Sequence, residues 1–446
     1  MRLFEIQKKK SILVLLFVTL ILSGCGGVKE LVQKESPHEK YEKALEQAGL
    51  LKSALGREWK ILGEKTLRDS LRIKLPLKES GYFFSDRANA LSYNFDVKRG
   101  EKLVINLQRD SIHKMQVFMD LFKVSGTGSS RAVKRVAYAE EDQLEIREDV
   151  EENQRFLLRV QPELMNSGRY VLSITTHPTL AFPVKGKNGK AIGSRFGDGR
   201  DGGKRLHEGV DIFAPKRNPV VAVTDGIITR VTNGGLGGKV VWMTNTDRQN
   251  FYYAHLDSQT VNPGEIVKEG EVLGLVGNTG NARFTSPHLH FGIYLPGEGA
   301  VDPYPYINDI SKQAPEIAAD LNYLGSWARV KSSKAAIKDT PDPKGRTISY
   351  PELNTPVEVY SAAANYYQVK LPDNTSGFIE SKYLEHTPAL KTLARLERSR
   401  PVFDAPANSG VLIEYLPENT KLSIYGEYNG FYLVRNNDYW GWVSKK

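Results

Sequence analysis

Four of the eight histidines in this 446-residue sequence fall between positions 207 and 290, and their spacing is typical of a metal site. His207 stands four residues before Asp211, with Gly209 between them. His288 and His290 stand two residues apart further along the chain. Catalytic zinc takes about three nitrogen or oxygen ligands from the protein and keeps one position open for water. The pattern therefore predicts a zinc site for hydrolysis.

The second pair of histidines carries the most information about geometry. The segment 287–293 reads as a β-strand, so the side chains of His288 and His290 point to the same face. Either can be the ligand, and spacing alone does not decide between them. A lone H-x-x-x-D motif arises often by chance, an H-x-H pair can lie on a surface, and His255 alone would be a partly buried, hydrogen-bonded histidine. The prediction depends on finding all of them in one glycine-rich segment.

Together these motifs resemble the lysostaphin/LytM-type zinc peptidases over residues 183–308. The resemblance implies that His207, Asp211 and His290 hold one zinc ion, Zn2+. It also implies that His255 and His288 stay unliganded, orient water and stabilise the tetrahedral intermediate. The likeness extends to a segment before the first histidine, a strand turn and two glycine-rich turns, namely 192–197, 222–226, 234–239 and 274–280.

The same resemblance implies a substrate, which is peptidoglycan cut at peptide bonds of its stem peptides or cross-links. Tyr253 and Arg283 are expected to contact it. Glu208 is a competing general base, but in an extended segment it points away from the side of His207 and Asp211, so the histidines are preferred. The alternative function is a non-enzymatic envelope adaptor that binds cell wall and activates a partner amidase. No ligand position is missing here, which argues against that alternative.

The elements that must position these residues predict a mainly β, multidomain protein. Parallel βαβ alternation is absent, which disfavours an α/β fold. Residues 183–310 are expected to form an antiparallel β catalytic domain of the LytM type. Alternating strands such as 91–97 and 103–107 predict a β-sandwich before it. The expected order is a signal peptide (1–24), a short helical stalk or linker (25–79), the β-sandwich (80–180), the catalytic domain (183–310), a linker (311–325) and two small barrels (326–387 and 390–446).

The C-terminal part contains an internal repeat. The segment 367–370 with 377–379 recurs as 432–435 with 441–443, each copy ending in glycine, an aromatic residue and a β-branched residue. Repeats of this kind resemble bacterial SH3-like barrels. Six aromatic residues of the repeat either line a groove for cell-wall peptide or form the core; they are Tyr366, Tyr367, Tyr428, Tyr439, Trp440 and Trp442.

The segment 28–65 is polar, with apolar residues at helical spacing. Ser36, Pro37 and Glu39 form a capping-box pattern that predicts a helix start. We expect a spacer that holds the rest of the protein off a membrane. His38 is expected to be a solvated residue.

The N-terminus predicts export and lipidation. Three lysines precede a twelve-residue apolar run from Ser11 to Leu22, which is typical of a secretory signal and too short to span a bilayer. The following segment ends at Cys25, the single cysteine of the chain, and resembles the lipobox of bacterial lipoproteins. This implies a membrane anchor through lipid on Cys25 in the cell envelope. Gly26 stands where an aspartate would hold the protein at an inner membrane, so we expect the anchor at the outer membrane, on its periplasmic side, if the cell has two membranes.

The net charge of +9 is compatible with an anionic surface such as cell wall or membrane. The segment 1–24 carries four basic residues and one acidic residue, so its removal would leave a charge of +6. No basic cluster is interleaved with aromatic residues, which disfavours nucleic acid as a partner. Peptidoglycan, the membrane and a partner wall hydrolase are the expected partners.

Overall fold

The computed structural model describes residues 34–109, 115–309, 313–386, 389–393, 395–407, 409–436 and 439–445. Strands predominate, and the predicted mainly β fold class is confirmed. In these ranges the α-helices are α1 (Pro37–Gln47), α2 (Ala54–Thr66) and α3 (Tyr304–Ile307). None of the helices in the described ranges has the length and apolar character that crossing a bilayer requires. The predicted signal peptide and Cys25 lie outside the described residues.

Helix α1 begins with the predicted capping box. The backbone N–H of Glu39 donates to Ser36 Oγ, and the N–H of Ser36 donates to the Glu39 carboxylate. Helix α2 buries Trp59 completely against the following sheet, so the helices pack on the sandwich, and the spacer role remains a prediction. The expectation of a solvated His38 is wrong. Its ring stacks on Trp59 at 4.7 Å, and its Nε2 lies 2.8 Å from Gln161 Oε1.

Two sheets of a β-sandwich follow the helices. One sheet has the order β1-β3-β8-β5-β6, and the other contains β2, β9, β4 and β7 in that order. Alternating apolar residues of both sheets form one core, as the period-two pattern predicts. The strands are β1 (Leu71–Arg72), β2 (Leu77–Phe83), β3 (Leu91–Val97), β4 (Glu101–Arg109), β5 (Val117–Ser125), β6 (Ala132–Tyr138), β7 (Glu145–Asp149), β8 (Gln154–Pro162) and β9 (Gly168–Pro178).

The segment with the histidine motifs forms an eight-stranded antiparallel sheet of order β10-β13-β21-β17-β16-β15-β19, with β22 paired to β21. A smaller sheet of β14, β20 and β18 packs beside it. The strands are β10 (Ile192–Ser194), β11 (Gly199–Arg200), β12 (Arg205–Leu206), β13 (Val210–Phe213), β14 (Pro219–Val221), β15 (Gly226–Gly234), β16 (Gly238–Thr244), β17 (Asn250–Ala254), β18 (Ser258–Gln259), β19 (Ile266–Val267), β20 (Val272–Leu275), β21 (His288–Leu295) and β22 (Gly299–Val301).

The two C-terminal repeats form equivalent hairpins. Val369 of the first repeat lies opposite Gly377, and Val434 of the second lies opposite Gly441. Tyr366, Tyr367 and Trp442 are buried, so for these three the core alternative holds. The strands are β23 (Trp327–Val330), β24 (Ile337–Lys338), β25 (Thr347–Ser349), β26 (Pro356–Ala363), β27 (Tyr366–Lys370), β28 (Ser376–Glu380), β29 (Leu384–His386), β30 (Lys391–Leu393), β31 (Arg400–Phe403), β32 (Leu412–Leu416), β33 (Leu422–Tyr428), β34 (Phe431–Asn436) and β35 (Tyr439–Ser444).

The sandwich and the first repeat share one continuous sheet. Strand β2 pairs with β9 on one edge and with β26 on the other, where Glu79 lies opposite Ala363. The buried Glu79 carboxylate accepts hydrogen bonds from the hydroxyls of Tyr93 and Tyr170 at 2.6 and 2.9 Å. Because the backbone ladder is unbroken here, these two segments cannot separate without losing sheet hydrogen bonds. The domain boundaries given above remain a prediction.

Candidate metal centre and groove

Two adjacent strands bring the predicted metal ligands together. In the β13–β21 ladder, Asp211 lies directly opposite His290, so their side chains leave the same face as neighbours. His207 lies in the extended segment before β13, where its N–H donates to the carbonyl of Asp198 at 2.9 Å. Its Nδ1 lies 2.8 Å from the carbonyl oxygen of Arg195. A carbonyl can only accept, so Nδ1 carries the proton and Nε2 presents its lone pair.

Three ligand atoms converge at this point. His207 Nε2 lies 3.0 Å from Asp211 Oδ1 and 2.9 Å from His290 Nδ1, and the last two atoms are 3.1 Å apart. Two ligands at about 2.0–2.1 Å from a tetrahedral zinc ion are roughly 3.3 Å apart, so this donor set fits such an ion closely. Within the described ranges it is the one group of three or more candidate ligands found close together.

The charges of the ligands suit a cation. Burial raises the pKa of Asp211, but the neighbouring His207 and His290 outweigh burial and hold it well below its usual range. Burial lowers the pKa of His290 against the opposing attraction of Asp211. An ionised carboxylate and neutral imidazoles are the forms that bind a metal.

Gly209 makes room for the His290 ring. A Cβ at this position would lie 2.9 Å from both Cε1 and Nε2 of His290 and 2.5 Å from the carbonyl oxygen of Phe291. Real Cβ atoms do not approach backbone so closely. The glycine between His207 and Asp211 is therefore required by close approach.

Arg200 is a site residue that sequence reasoning missed. Its guanidinium donates to Asp211 Oδ2 at 2.7 Å and to Ser194 Oγ at 2.6 Å. The available signal was an arginine in the glycine-rich run 197–203, shortly before His207. Local sequence does not show that β11 brings Arg200 into contact with Asp211 of β13.

His255 and His288 face each other beside the ligands, with ring centroids 5.1 Å apart. The Nδ1 of His255 lies 2.9 Å from the carbonyl oxygen of Thr279, and that of His288 lies 2.8 Å from the carbonyl oxygen of Ser286. Both rings therefore present Nε2 as the acceptor. His288 Nε2 lies 3.9 Å from Asp211 Oδ1.

The conformation and environment of His255 are unusual. Its φ of +62° places a residue with a Cβ in the left-handed region, and such strain is concentrated at functional sites. Burial, with smaller contributions from the neighbouring His288 and His290, lowers its pKa to about 4. The ring is therefore neutral at pH 7 and able to accept a proton.

These residues line an open groove of about 770 Å³, and all its lining residues come from 194–294. Its floor is one face of the eight-stranded sheet, where alternate residues of three strands point outward. From β21 these are His288, His290 and Tyr294; from β17, Tyr252 and Ala254; from β16, Val240 and Trp242.

The expectation that Tyr253 contacts substrate is wrong. Its side chain is completely buried on the opposite face of β17, and its hydroxyl accepts from the N–H of Val223 at 3.2 Å. The adjacent Tyr252 lines the groove in its place. Arg283 is exposed in the loop after the turn 280–282, with its guanidinium 5.6 Å from the Phe284 ring. Its contact with substrate remains a prediction.

Comparison with known proteins points to the same segment. Residues 205–303 match the profile of peptidase family M23. The L-Ala–D-Glu endopeptidase of Bacillus subtilis is 34% identical over 138 residues, which is 28% of this chain and 42% of that protein. The DD-carboxypeptidase/endopeptidase Mpg of Neisseria meningitidis is 40% identical over 94 residues, which is 21% of each protein. The chain therefore spans less than half the length of these relatives.

Among solved structures, the catalytic domain of lysostaphin from Staphylococcus simulans is 33% identical. The match covers 26% of this chain and 89% of that domain, with a TM-score of 0.23. The predicted resemblance to lysostaphin/LytM-type peptidases is confirmed for this segment.

Proposed function

Because residues 205–303 form a domain of peptidase family M23, we propose that this protein is a zinc-dependent endopeptidase that hydrolyses peptide bonds in peptidoglycan. The observation that carries the proposal is the convergence of His207 Nε2, Asp211 Oδ1 and His290 Nδ1 within 2.9–3.1 Å at the floor of an open groove. Relatives of this domain are named as L-Ala–D-Glu and DD-endopeptidases. The proposed scissile bond therefore lies in the stem peptide or in the cross-link.

His207, Asp211 and His290 would hold one zinc ion. Bound zinc would supply a Lewis acid that polarises the scissile carbonyl and makes water a stronger nucleophile at neutral pH. Arg200 holds Asp211 Oδ2, which leaves Oδ1 facing the two imidazoles. This fixes the carboxylate before any substrate arrives, and fixed ligands lose less entropy on binding.

His255 and His288 would move the proton. Each ring is fixed by Nδ1–H donation to a carbonyl oxygen, so each Nε2 is an acceptor aimed into the groove. A neutral imidazole there can take a proton from water and later give it to the leaving amine. Once protonated, it can donate to the oxyanion of the tetrahedral intermediate, in a setting where part of the water is excluded. Glu208 accepts a hydrogen bond from the Tyr294 hydroxyl at 3.2 Å and is not one of the grouped ligands, so the histidines remain the proposed bases.

The proposed location is the cell envelope, with a lipid on Cys25 as the anchor. The support is the sequence pattern of residues 8–25, which lies outside the described residues. The C-terminal repeats, which resemble SH3-like barrels, are proposed to bind cell wall. Anchoring and wall binding would together keep the groove close to its polymeric substrate and raise its effective concentration.

The test is mass spectrometry of muropeptides released from purified peptidoglycan by the zinc-loaded full-length protein in detergent. New amino termini at one type of peptide bond are expected, and both a chelator and His290→Ala should abolish them. Peptidoglycan that remains intact, while an added wall amidase becomes active, would support the adaptor alternative.

A further inference from the structure

A cluster of aromatic side chains continues the sheet face that carries the histidines. Residues 288, 290, 292 and 294 of β21 point to one side of the sheet. Gly292 and Tyr294 therefore follow the predicted ligand His290 on the same face. Tyr252 of β17 lies opposite Gly292, and Trp242 of β16 lies opposite Tyr252. A Cβ at Gly292 would lie 3.1 Å from the Tyr294 ring, so the glycine leaves room for the two tyrosines.

The three rings pack against one another at inclined angles and form an aromatic corner of the groove. Trp242 lies 4.6 Å from Tyr252 and 5.3 Å from Tyr294 between centroids, inclined by 45° and 48°. The two tyrosine rings are nearly perpendicular, at 86°. A sugar ring needs a flat aromatic surface for stacking, whereas mutually inclined rings surround a small cation with their negative faces. All three side chains are half-buried and line the groove.

A carboxylate stands at the edge of this corner. Glu208 Oε2 accepts from the Tyr294 hydroxyl at 3.2 Å, and the Glu208 side chain is exposed to the groove. Arg200 and Arg205 also line the groove, and Arg200 is paired with Asp211 Oδ2 at 2.7 Å. Tyr252 lies 5.7 Å from the His290 ring, so the corner adjoins the ligands.

We propose that Trp242, Tyr252, Tyr294 and Glu208 form an ammonium-binding subsite, which takes a side-chain primary amine of the stem peptide while a neighbouring peptide bond lies over the metal ligands. The inference rests on the proposed function and adds a preference to it. Peptides whose diamino acid has a free, charged amine would be preferred over those whose amine is already acylated in a cross-link. The enzyme would then cut chiefly peptide bonds of stem peptides that are not cross-linked through that amine.

The first test compares two peptides with the zinc-loaded protein. One is a stem peptide with a free side-chain amine, and the other is the same peptide with that amine acetylated. We expect kcat/KM to be about tenfold higher for the free amine, ~1.4 kcal/mol, and the difference to lie in KM. In Trp242→Leu and in Glu208→Gln the ratio between the two peptides should fall close to one. Tyr350→Leu, which removes a 72% exposed tyrosine outside the groove, should keep the wild-type ratio.

A second measurement separates this inference from the proposed function. Calorimetric titration of zinc-loaded His255→Ala with both peptides reports binding without turnover. Tighter binding of the free amine, lost on adding Trp242→Leu, supports the subsite even if the wild-type protein cuts neither peptide. Equal affinity of His255→Ala for the two peptides overturns the subsite. A preference for the free amine that persists in the His255→Ala, Trp242→Leu double variant also overturns it.

Discussion

Arg200 donates to Asp211 Oδ2 at 2.7 Å, on the oxygen opposite to the one that faces His207 and His290. The same guanidinium nitrogen donates to Ser194 Oγ, which ties the loop that contains Arg200 to strand β10. Oδ1 of Asp211 therefore faces the predicted metal position, while Oδ2 is held by Arg200. Arg200 is a positioning residue, since it acts on the metal through Asp211.

Removing the guanidinium should weaken metal binding. Arg200→Met is expected to lower zinc affinity by about 10–100-fold, because Asp211 loses the partner that fixes its rotamer. Competition with a chromophoric chelator measures this without any substrate. The matched control is Arg155→Met, which breaks an arginine–aspartate pair on the sandwich at 2.9 Å from Asp96. Equal zinc affinity in the two variants would contradict the positioning role.

A methyl group at Gly209 should disrupt the centre. Gly209→Ala places a Cβ 2.5 Å from the Phe291 carbonyl oxygen and 2.9 Å from the His290 ring, so the ring must move. We expect roughly tenfold or greater loss of zinc affinity and a matching loss of hydrolysis. Gly168→Ala is the control, since its Cβ would have only one ordinary contact, at 3.7 Å from Met115. Full zinc occupancy and normal hydrolysis in Gly209→Ala would show that the close approach does not matter.

Proton transfer and metal binding should separate by mutation. His255→Ala is expected to bind one zinc ion as the wild type does, while kcat falls by about 10²–10⁴. His290→Ala is expected to lose the ion itself. Metal analysis of both purified variants, together with single-turnover rates, tests the assignment. It fails if His255→Ala loses zinc or retains wild-type kcat.

The stability of the sandwich should depend on pH through His38. Burial and, to a smaller extent, the nearby positive charge of Arg159 lower the pKa of His38 to about 4. The unfolded chain, with an ordinary histidine pKa near 6.5, binds the proton first as pH falls. The contribution of His38 to the free energy of unfolding is therefore fully present above about pH 6.5. Acidification toward pH 4 lowers the free energy of unfolding by up to ~3 kcal/mol.

Denaturant unfolding between pH 4 and 7 measures this loss. His38→Gln, which cannot titrate, should flatten the dependence across that window. His177→Gln, at an exposed histidine of the same sandwich, should leave it as in the wild type. An unchanged slope in His38→Gln would assign the acid sensitivity to another group.

The β character of the fold followed from local periodicity, whereas the choice of His207, Asp211 and His290 as ligands followed from the family resemblance, because spacing alone did not decide between His288 and His290. The H-x-H motif places two side chains on one strand face, and the strand β21 has that geometry. The pairing of Asp211 with His290 did not follow, because register is set by long-range packing. Tyr253 illustrates the cost of a one-residue error, since neighbouring strand residues point to opposite faces and Tyr252 holds the groove position.

The N-terminal helices show a different limit. The sequence predicted the capping box, and helix α1 begins where that motif predicts. The sequence did not predict that α1 and α2 pack on the sandwich, because the partners of His38 and Trp59 lie more than a hundred residues away, at Gln161 and Pro162. The sheet shared by β2 and β26 was hidden for the same reason. Contacts at such separation leave no periodic trace in the sequence.

The central claim, one zinc ion held by these three side chains, is tested most directly by anomalous diffraction at the zinc edge from crystals of the zinc-loaded protein. We expect a single strong peak about 2.0–2.2 Å from His207 Nε2, Asp211 Oδ1 and His290 Nδ1, with His255 and His288 outside bonding distance. A peak coordinated by other residues, or no peak at this place in a protein that hydrolyses peptidoglycan, would contradict the account.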